Sequence, residues 1–250
     1  MSTTYRRRSP QSGAAIFQAL KTAGVTNSEI ILPEENPLTA AHKTKIDLNV
    51  PTSFASRFIK EYREIDIALG QQGPLTEELN RLADRLRKFD SYFLQVVDFA
   101  IDLQVFPSGT GARAFYGRDL TGGPLPDLIT YDNLETVADT IVAGEAARLV
   151  SEGPGAVPMP FPTASQVGSA RDEFHDARLL SQAAIRRTDK EREDLQALYD
   201  EGLALVLDIW DTVEFFYRHD PDPSSFRAKC ARWGVVYVFE QTEPPTPPNP

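Results

Sequence analysis

The sequence has a single cysteine, Cys230, among its 250 residues. One cysteine excludes an intrachain disulfide framework and is typical of proteins that work in a reducing compartment. The N-terminal segment lacks the apolar core of a secretory signal, and no apolar run is long enough to span a bilayer. We therefore expect a cytoplasmic protein that has no membrane partner.

Basic side chains are scarce relative to acidic ones, with 26 Lys and Arg against 36 Asp and Glu and a formal net charge of −10. An acidic chain repels a phosphate backbone unless its basic residues are concentrated on one face. The only dense basic cluster, Arg6-Arg7-Arg8, lies in residues 1–12, which we expect to form a disordered tail. Nucleic acid is therefore not an expected partner.

The usual signatures of catalytic and zinc sites are also absent. The sequence contains no Gly-x-Ser-x-Gly, no His-Glu-x-x-His and no paired Cys-x-x-Cys. Its histidines, His42, His175 and His219, form no Glu-x-x-His pair of the kind that di-iron bundles use. Basic neighbours could activate the thiol of Cys230, but a lone cysteine is more often an apolar filler. These absences favour a protein without catalytic activity.

What the sequence does contain is apolar spacing typical of helices. Between Leu79 and Ile101 the apolar residues recur at steps of three and four, which predicts a long amphipathic helix. A shorter helix over residues 54–69 precedes it. The intervening Gly70-Gln-Gln-Gly-Pro74 has turn chemistry, so the two helices are expected to form a hairpin.

The second half of the chain has the same pattern. Thr163 with Gln166, and Thr188 with Glu191, have the spacing of capping boxes and predict two helix starts. Short segments also recur, since Pro51-Thr52 returns as Pro162-Thr163. Two explanations remain open at this point, a tandem duplication or two unrelated amphipathic hairpins with shared patterning.

Together these patterns predict a mainly α protein. We expect a helical bundle of two tandem-duplicated helical hairpins related by a pseudo-twofold axis, with a short C-terminal β segment at residues 234–240. The first half would comprise residues 13–126 and the second residues 127–241, both in one compact domain. Residues 242–250, rich in proline, are expected to form a disordered tail.

Acidic residues on the predicted core helices form one candidate site, in which four helices present carboxylates to Mg²⁺ or Mn²⁺. Its members are Glu61, Glu64, Asp98, Asp102, Glu173, Asp176, Asp208 and Asp211. The run Glu-Tyr-Arg-Glu at residues 61–64 resembles the Glu-x-x-Glu motif of all-helical nucleotide pyrophosphatases, in which acids hold Mg²⁺ against a triphosphate. The partner motif of that family, Glu-x-x-Asp on the following helix, is absent. The alternative interpretation is a solvated acidic face.

Two basic-aromatic segments form the other candidate site, a surface for binding protein. They combine residue types that are enriched in binding hot spots. The residues are Arg113, Phe115, Tyr116, Arg118, Arg227, Arg232, Trp233 and Tyr237. Alternatively, the aromatic rings plug the ends of the bundle while the arginines neutralise its acids. We predict a non-enzymatic assembly protein without a cofactor, a homodimer, with a metal-dependent hydrolase of phosphorylated small molecules as the alternative.

Overall fold

The computed structural model describes residues 3–241 of the chain and is mainly helical, as predicted. The helices are α1 Gly13–Glu29, α2 Ala40–Ile46, α3 Phe54–Asp102, α4 Ala112–Phe115, α5 Tyr131–Glu152, α6 Ala164–Tyr217 and α7 Pro223–Ala231. Two strands, β1 Thr3–Arg7 and β2 Tyr237–Gln241, form a two-stranded sheet. Within residues 3–241, no helix combines the length and the apolar character that crossing a membrane requires.

The sheet joins the two ends of the described chain. β1 and β2 pair antiparallel, with Tyr5 opposite Phe239 and Arg7 opposite Tyr237. The short C-terminal β segment is thus confirmed, but β1 differs from the disordered tail predicted for residues 1–12. Its backbone pairs with β2, and Arg7 forms an ion pair with Glu214 of α6, so this segment has partners that its polar composition does not indicate. The predicted proline-rich tail lies outside the described residues.

α3 and α6 are each one continuous helix, and the predicted hairpin turns are wrong. Pro74 lies inside α3, and no turn interrupts the helix at Gly70 or Gly73. Proline and glycine inside a helix cost about 3 and 1 kcal/mol. That cost is tolerated because the apolar stripe of α3 is buried on both sides of Pro74, at Ala68 and at Leu79. The tandem duplication itself remains a prediction.

One of the two predicted capping boxes is confirmed. Thr163 Oγ1 accepts a hydrogen bond from the Gln166 amide at 3.1 Å, and Gln166 Oε1 accepts one from the Thr163 amide at 2.8 Å. α6 begins directly afterwards. The second predicted start, at Thr188, is wrong because this residue is buried inside the continuous α6. Capping spacing alone therefore does not distinguish a helix start from a helix interior.

The chain divides into two compact units. Unit 1 comprises residues 1–69 and 187–250, and unit 2 comprises residues 70–186. This division differs from the predicted halves, 13–126 and 127–241, because each of the two long helices contributes one part to each unit. Each unit has its own hydrophobic core.

The core of unit 1 surrounds two buried tryptophans, Trp210 of α6 and Trp233 after α7. α3 packs there against α6, where Gly202 makes room for the ring of Phe58. A Cβ atom on Gly202 would lie 3.0 Å from that ring, so a larger residue would push the helices apart.

The core of unit 2 contains a buried carboxylate without a partner. Asp90 of α3 is inaccessible to solvent, and neither of its carboxylate oxygens has a hydrogen-bond partner among the described residues. Burial raises the pKa of Asp90 to about 8. The side chain is therefore mostly protonated at neutral pH, and its burial costs stability.

Candidate functional site

The first basic-aromatic segment, at α4, is held within unit 2. Arg113 Nε donates to Asp98 Oδ1 at 2.9 Å, and Arg118 Nη1 donates to Asp98 Oδ2 at 2.6 Å. Arg113 also donates to the carbonyl of Leu120, and Arg118 to that of Gly123. Both arginine side chains are largely buried. These arginines neutralise an acid of α3 and hold the loop that follows α4.

The aromatic residues of this segment belong to the core of unit 2. Tyr116 is buried and contacts the ring of Phe93 edge-on, and Phe115 packs partly buried against the same core. Gly144 of α5 permits this close packing, because a Cβ atom there would lie 2.2 Å from the carbonyl oxygen of Phe115. The α4 segment thus matches the interpretation in which the aromatic rings fill space and the arginines pair with acids.

Tyr116 belongs to a buried polar network whose other members were not among the predicted site residues. Its hydroxyl donates to Glu145, and Arg148 Nε and Nη2 donate to the two oxygens of Glu145 at 3.0 and 2.9 Å. Arg148 also donates to Glu152 at 2.6 Å and to the carbonyl of Val157 at 2.8 Å. The network therefore ties α4, α5 and the loop after α5 together.

The electrostatics of this network keep its ion pair charged. Burial alone would raise the pKa of Glu145, but hydrogen bonds from Arg148, Tyr116 and the Met159 amide lower it. Burial and the contact with Glu145 raise the pKa of the Tyr116 hydroxyl, which stays protonated. Arg148 is fully buried and lies over the ring of Phe106. Every member is paired and shielded from solvent, so the network suits a structural role.

The second basic-aromatic segment lies in unit 1, across α7 and β2. Trp233 belongs to the core, and the Tyr237 hydroxyl donates to Glu214 Oε1 at 2.6 Å. Arg7 Nη1 donates to Glu214 Oε2 at 3.0 Å and also contacts Asp211. The two strands are therefore fixed to α6 through a shared carboxylate.

The thiol of Cys230 adjoins this contact. Cys230 is fully buried, and burial raises its pKa although a hydrogen bond with Tyr237 acts in the opposite direction. A raised pKa disfavours the reactive thiolate. Cys230 therefore fits the apolar filler interpretation and not a nucleophile.

Arg227 and Arg232 are the predicted binding residues that retain access to solvent in this segment. Arg227 lies over the ring of Tyr5, with 4.0 Å between its guanidinium carbon and the ring centre. Tyr5 in turn contacts Phe239 edge-on, and both rings are about half exposed. Arg232 is exposed after the end of α7.

The eight predicted metal ligands are divided between the units, and most pair with basic residues. Asp98 pairs with Arg113 and Arg118, Asp208 with His42, Asp211 with Arg7, and Glu173 with Arg85. Burial would raise the pKa of Asp98, but hydrogen bonds from Arg118 and Arg113 lower it. Asp102 and Asp176 are exposed. A metal is not needed to compensate the charges of the paired carboxylates.

Glu61 and Glu64 are the two predicted ligands that the structure brings together. They approach Glu191 of α6, and one carboxylate oxygen of each residue lies within 4.8 Å of the others. Among the described residues this is the only such group of three. Lys60 lies 3.4 Å from Glu61 and 3.2 Å from Glu64, and Arg187 lies 3.9 Å from Glu191. These cations offset the negative charge that would attract a metal.

A stripe of apolar side chains follows α3 within unit 2. Tyr92, Phe99 and Leu103 are 52%, 64% and 76% exposed, and half-buried Val96 lies between them. Tyr92, Val96 and Phe99 lie on one face of α3 at spacings of four and three residues. Leu103 continues this face in the turn directly after the helix, where its amide donates to the carbonyl of Phe99 at 2.9 Å. Residues 89–112 contain no lysine and no arginine. We call these four side chains the α3 stripe. Contiguous exposed apolar surface of this kind marks contact sites.

Comparisons with known proteins provide no functional assignment. The chain matches no family model, no curated protein and no solved structure. Its function is therefore inferred from its own side chains.

Proposed function

We propose that this chain is a non-enzymatic helical protein that assembles as a homodimer through the α3 stripe. The observation that carries this proposal is the row formed by Tyr92, Phe99 and Leu103, each more than half exposed, with half-buried Val96 between them and no charged side chain within the row. Aromatic residues are enriched and charged residues depleted at the centre of protein interfaces. The stripe has both properties.

A second copy of the chain is the partner that best fits this surface. In an antiparallel pair about a twofold axis, Tyr92 of one copy lies opposite Leu103 of the other, and Val96 lies opposite Phe99. Each large residue then meets an apolar residue. The chain carries a net charge of −10, so two copies repel each other wherever their acids meet. The α3 stripe itself contains no charged side chain, so it is a surface on which two copies can associate.

The contact surface proposed here differs from the basic-aromatic segments that the sequence suggested. Arg113 and Arg118 are engaged by Asp98, and Tyr116 and Trp233 are buried, so these residues support the fold of each unit. A cytoplasmic location, and a chain without cofactor or nucleic acid partner, remain part of the proposal.

Replacing Phe99 with glutamate is expected to weaken the dimer. The substitution places two carboxylates near the twofold axis and removes a central ring, so the dissociation constant should rise by about 100-fold, as for a hot-spot residue. Sedimentation equilibrium across micromolar concentrations measures it. Ile129→Glu is the matched control, because Ile129 is 80% exposed in unit 2 but lies outside the stripe. A wild-type chain that stays monomeric throughout would refute the proposal.

The second candidate function is the metal-dependent hydrolysis of a nucleotide or another phosphorylated small molecule. The observation that favours it is the approach of Glu61, Glu64 and Glu191, because carboxylate oxygens are the ligands that Mg²⁺ and Mn²⁺ prefer. The site would hold the metal against phosphate oxygens. Lys60 would have to leave the carboxylates for this to occur.

Calorimetric titration with Mn²⁺ and Mg²⁺, together with a nucleotide-hydrolysis screen, separates the two candidates. If the site is a metal centre, Glu64→Gln abolishes metal binding and hydrolysis together. Asp98→Asn leaves both intact, because Asp98 is neutralised by Arg113 and Arg118. If the chain is a non-enzymatic dimer, neither metal binds at this site and no nucleotide is hydrolysed.

A further inference from the structure

Unit 1 contains a groove beside the two-stranded sheet, with a volume of about 500 Å³. Trp210, Ala15, Ala19 and Val235 contribute apolar surface to its wall, and polar residues that include Arg8 complete it. Sites for small molecules typically have volumes of about 300–1,000 Å³ and a mainly apolar lining with few polar groups. The size and lining of this groove, which we call the ribbon groove, match that description.

Small residues shape the ribbon groove. Ala15 and Ala19 lie one turn apart on α1, so that no large side chain fills the space above Trp210. Gly234 has a φ angle of +86°, and a Cβ atom on it would lie 3.2 Å from Cα of Ala19. The turn before β2 therefore approaches the backbone of α1 directly and closes one side of the groove.

One end of the groove is basic. A second cavity of about 360 Å³, lined by Arg6, Arg7 and Arg8, shares Arg8 with the ribbon groove. Arg7 is paired with acids of α6, whereas the exposed guanidinium of Arg8 forms no ion pair with any residue from 3 to 241. Its guanidinium is therefore available to a ligand.

The start of α1 supplies no basic side chain to this end of the groove. Ser12 caps the helix, and its Oγ accepts a hydrogen bond from the Ala15 amide at 3.3 Å. That amide is therefore already satisfied within the chain. Arg8 is the group in the groove wall that offers a positive charge.

We infer that the ribbon groove binds a small amphipathic anion. Arg8 holds its carboxylate or phosphate head group, since a guanidinium donates two parallel hydrogen bonds to either. The apolar body of the ligand lies against Trp210, Ala15 and Ala19 and is removed from water there. The residues of the ribbon groove belong to unit 1, whereas those of the α3 stripe belong to unit 2. The inference therefore does not depend on the proposed dimer.

Titration of the full chain with octanoate and with octyl phosphate, both below their micelle-forming concentrations, tests the inference. Trp210 lines the groove, so its fluorescence should change saturably as the ligand binds. Comparison of the two ligands shows which head group is preferred, and neutral octanol should bind at least about 10-fold more weakly because it lacks the charge. The chain has two tryptophans, and Trp210→Phe leaves only Trp233. Loss of the fluorescence change in this variant would show that Trp210 is the tryptophan that reports binding.

Two variants act on different parts of the site. Arg8→Gln removes the charge but keeps the backbone amide that bonds to the Val236 carbonyl, and Ala15→Leu fills the groove and keeps the charge. Each should weaken binding by about 10-fold or more. Arg192→Gln, an exposed arginine of α6 in the same unit, is the control and should bind as the wild type does. Equal binding of octanol and octanoate, wild-type affinity in both groove variants, or no saturable change would overturn the inference.

Discussion

Replacing Glu145 with alanine is expected to lower the free energy of unfolding by about 3–5 kcal/mol, the usual cost of removing one partner of a buried ion pair. The variant leaves the Arg148 guanidinium buried without its main counter-charge. It also removes the acceptor of the Tyr116 hydroxyl and of the Met159 amide. Urea denaturation followed by far-ultraviolet circular dichroism measures the loss.

Asp139→Ala provides the matched control for this experiment. Asp139 lies on the same helix, α5, and pairs with Arg171 at 2.8 Å, but its side chain is more than half exposed. Such a pair contributes about 0–1 kcal/mol, so the control should unfold close to the wild type. The triple variant Glu145→Leu/Arg148→Met/Glu152→Gln should regain part of the loss, because it removes all three charges of the network and leaves no unpaired charge in the core. If Glu145→Ala is as stable as Asp139→Ala, the network does not hold unit 2 together.

Replacing Asp90 with leucine is expected to stabilise the protein at neutral pH. The carboxyl group has an unperturbed pKa of 3.8, and burial raises it to about 8 in the folded chain. Keeping this group protonated at pH 7 costs on the order of 4 kcal/mol, since each unit of pKa shift corresponds to about 1.4 kcal/mol. Leucine has the same branched arrangement of four side-chain heavy atoms and no polar atoms to desolvate. The free energy of unfolding in urea should therefore rise.

The same substitution should change how stability depends on pH. Between pH 3.8 and about 8 the folded chain keeps a proton on Asp90 that the unfolded chain releases. The wild type therefore loses stability from this group as pH rises through that range, and the loss is complete above the folded pKa. In Asp90→Leu this contribution disappears, whereas Asp102→Leu, at an exposed acid of the same helix, should retain it. Identical pH profiles for Asp90→Leu and the wild type would contradict the assignment.

Local patterns in the sequence predicted which segments are helical, but they did not predict that α3 and α6 are each one continuous helix. The apolar repeat from Leu79 to Ile101 and the cap at Thr163 depend on neighbours within a few residues, and both correspond to helical structure. The break expected at Pro74 was wrong because packing on both sides outweighs a local cost. Strand β1 was missed because its pairing partner, β2, lies at the other end of the described chain.

The candidate sites were harder to predict, because a sequence identifies residue types and not their partners. Arg113 and Asp98 were assigned to two different sites, yet they form one ion pair. Glu145 and Arg148 have the spacing of an ordinary surface pair on a helix, and only the tertiary fold buries them. Glu61 and Glu64 were recognised by their spacing, but Glu191 joins them through the packing of α3 against α6.

The arrangement of the two units has a consequence for synthesis of the chain. Unit 2 is one uninterrupted segment, whereas unit 1 is assembled from two segments that flank it in sequence. During translation the ribosome releases all of residues 70–186 before the second segment of unit 1 emerges, and domains generally fold as their residues appear. The first 69 residues cannot complete the core of unit 1 until α7 and β2 have been synthesised, so unit 1 reaches its native state last.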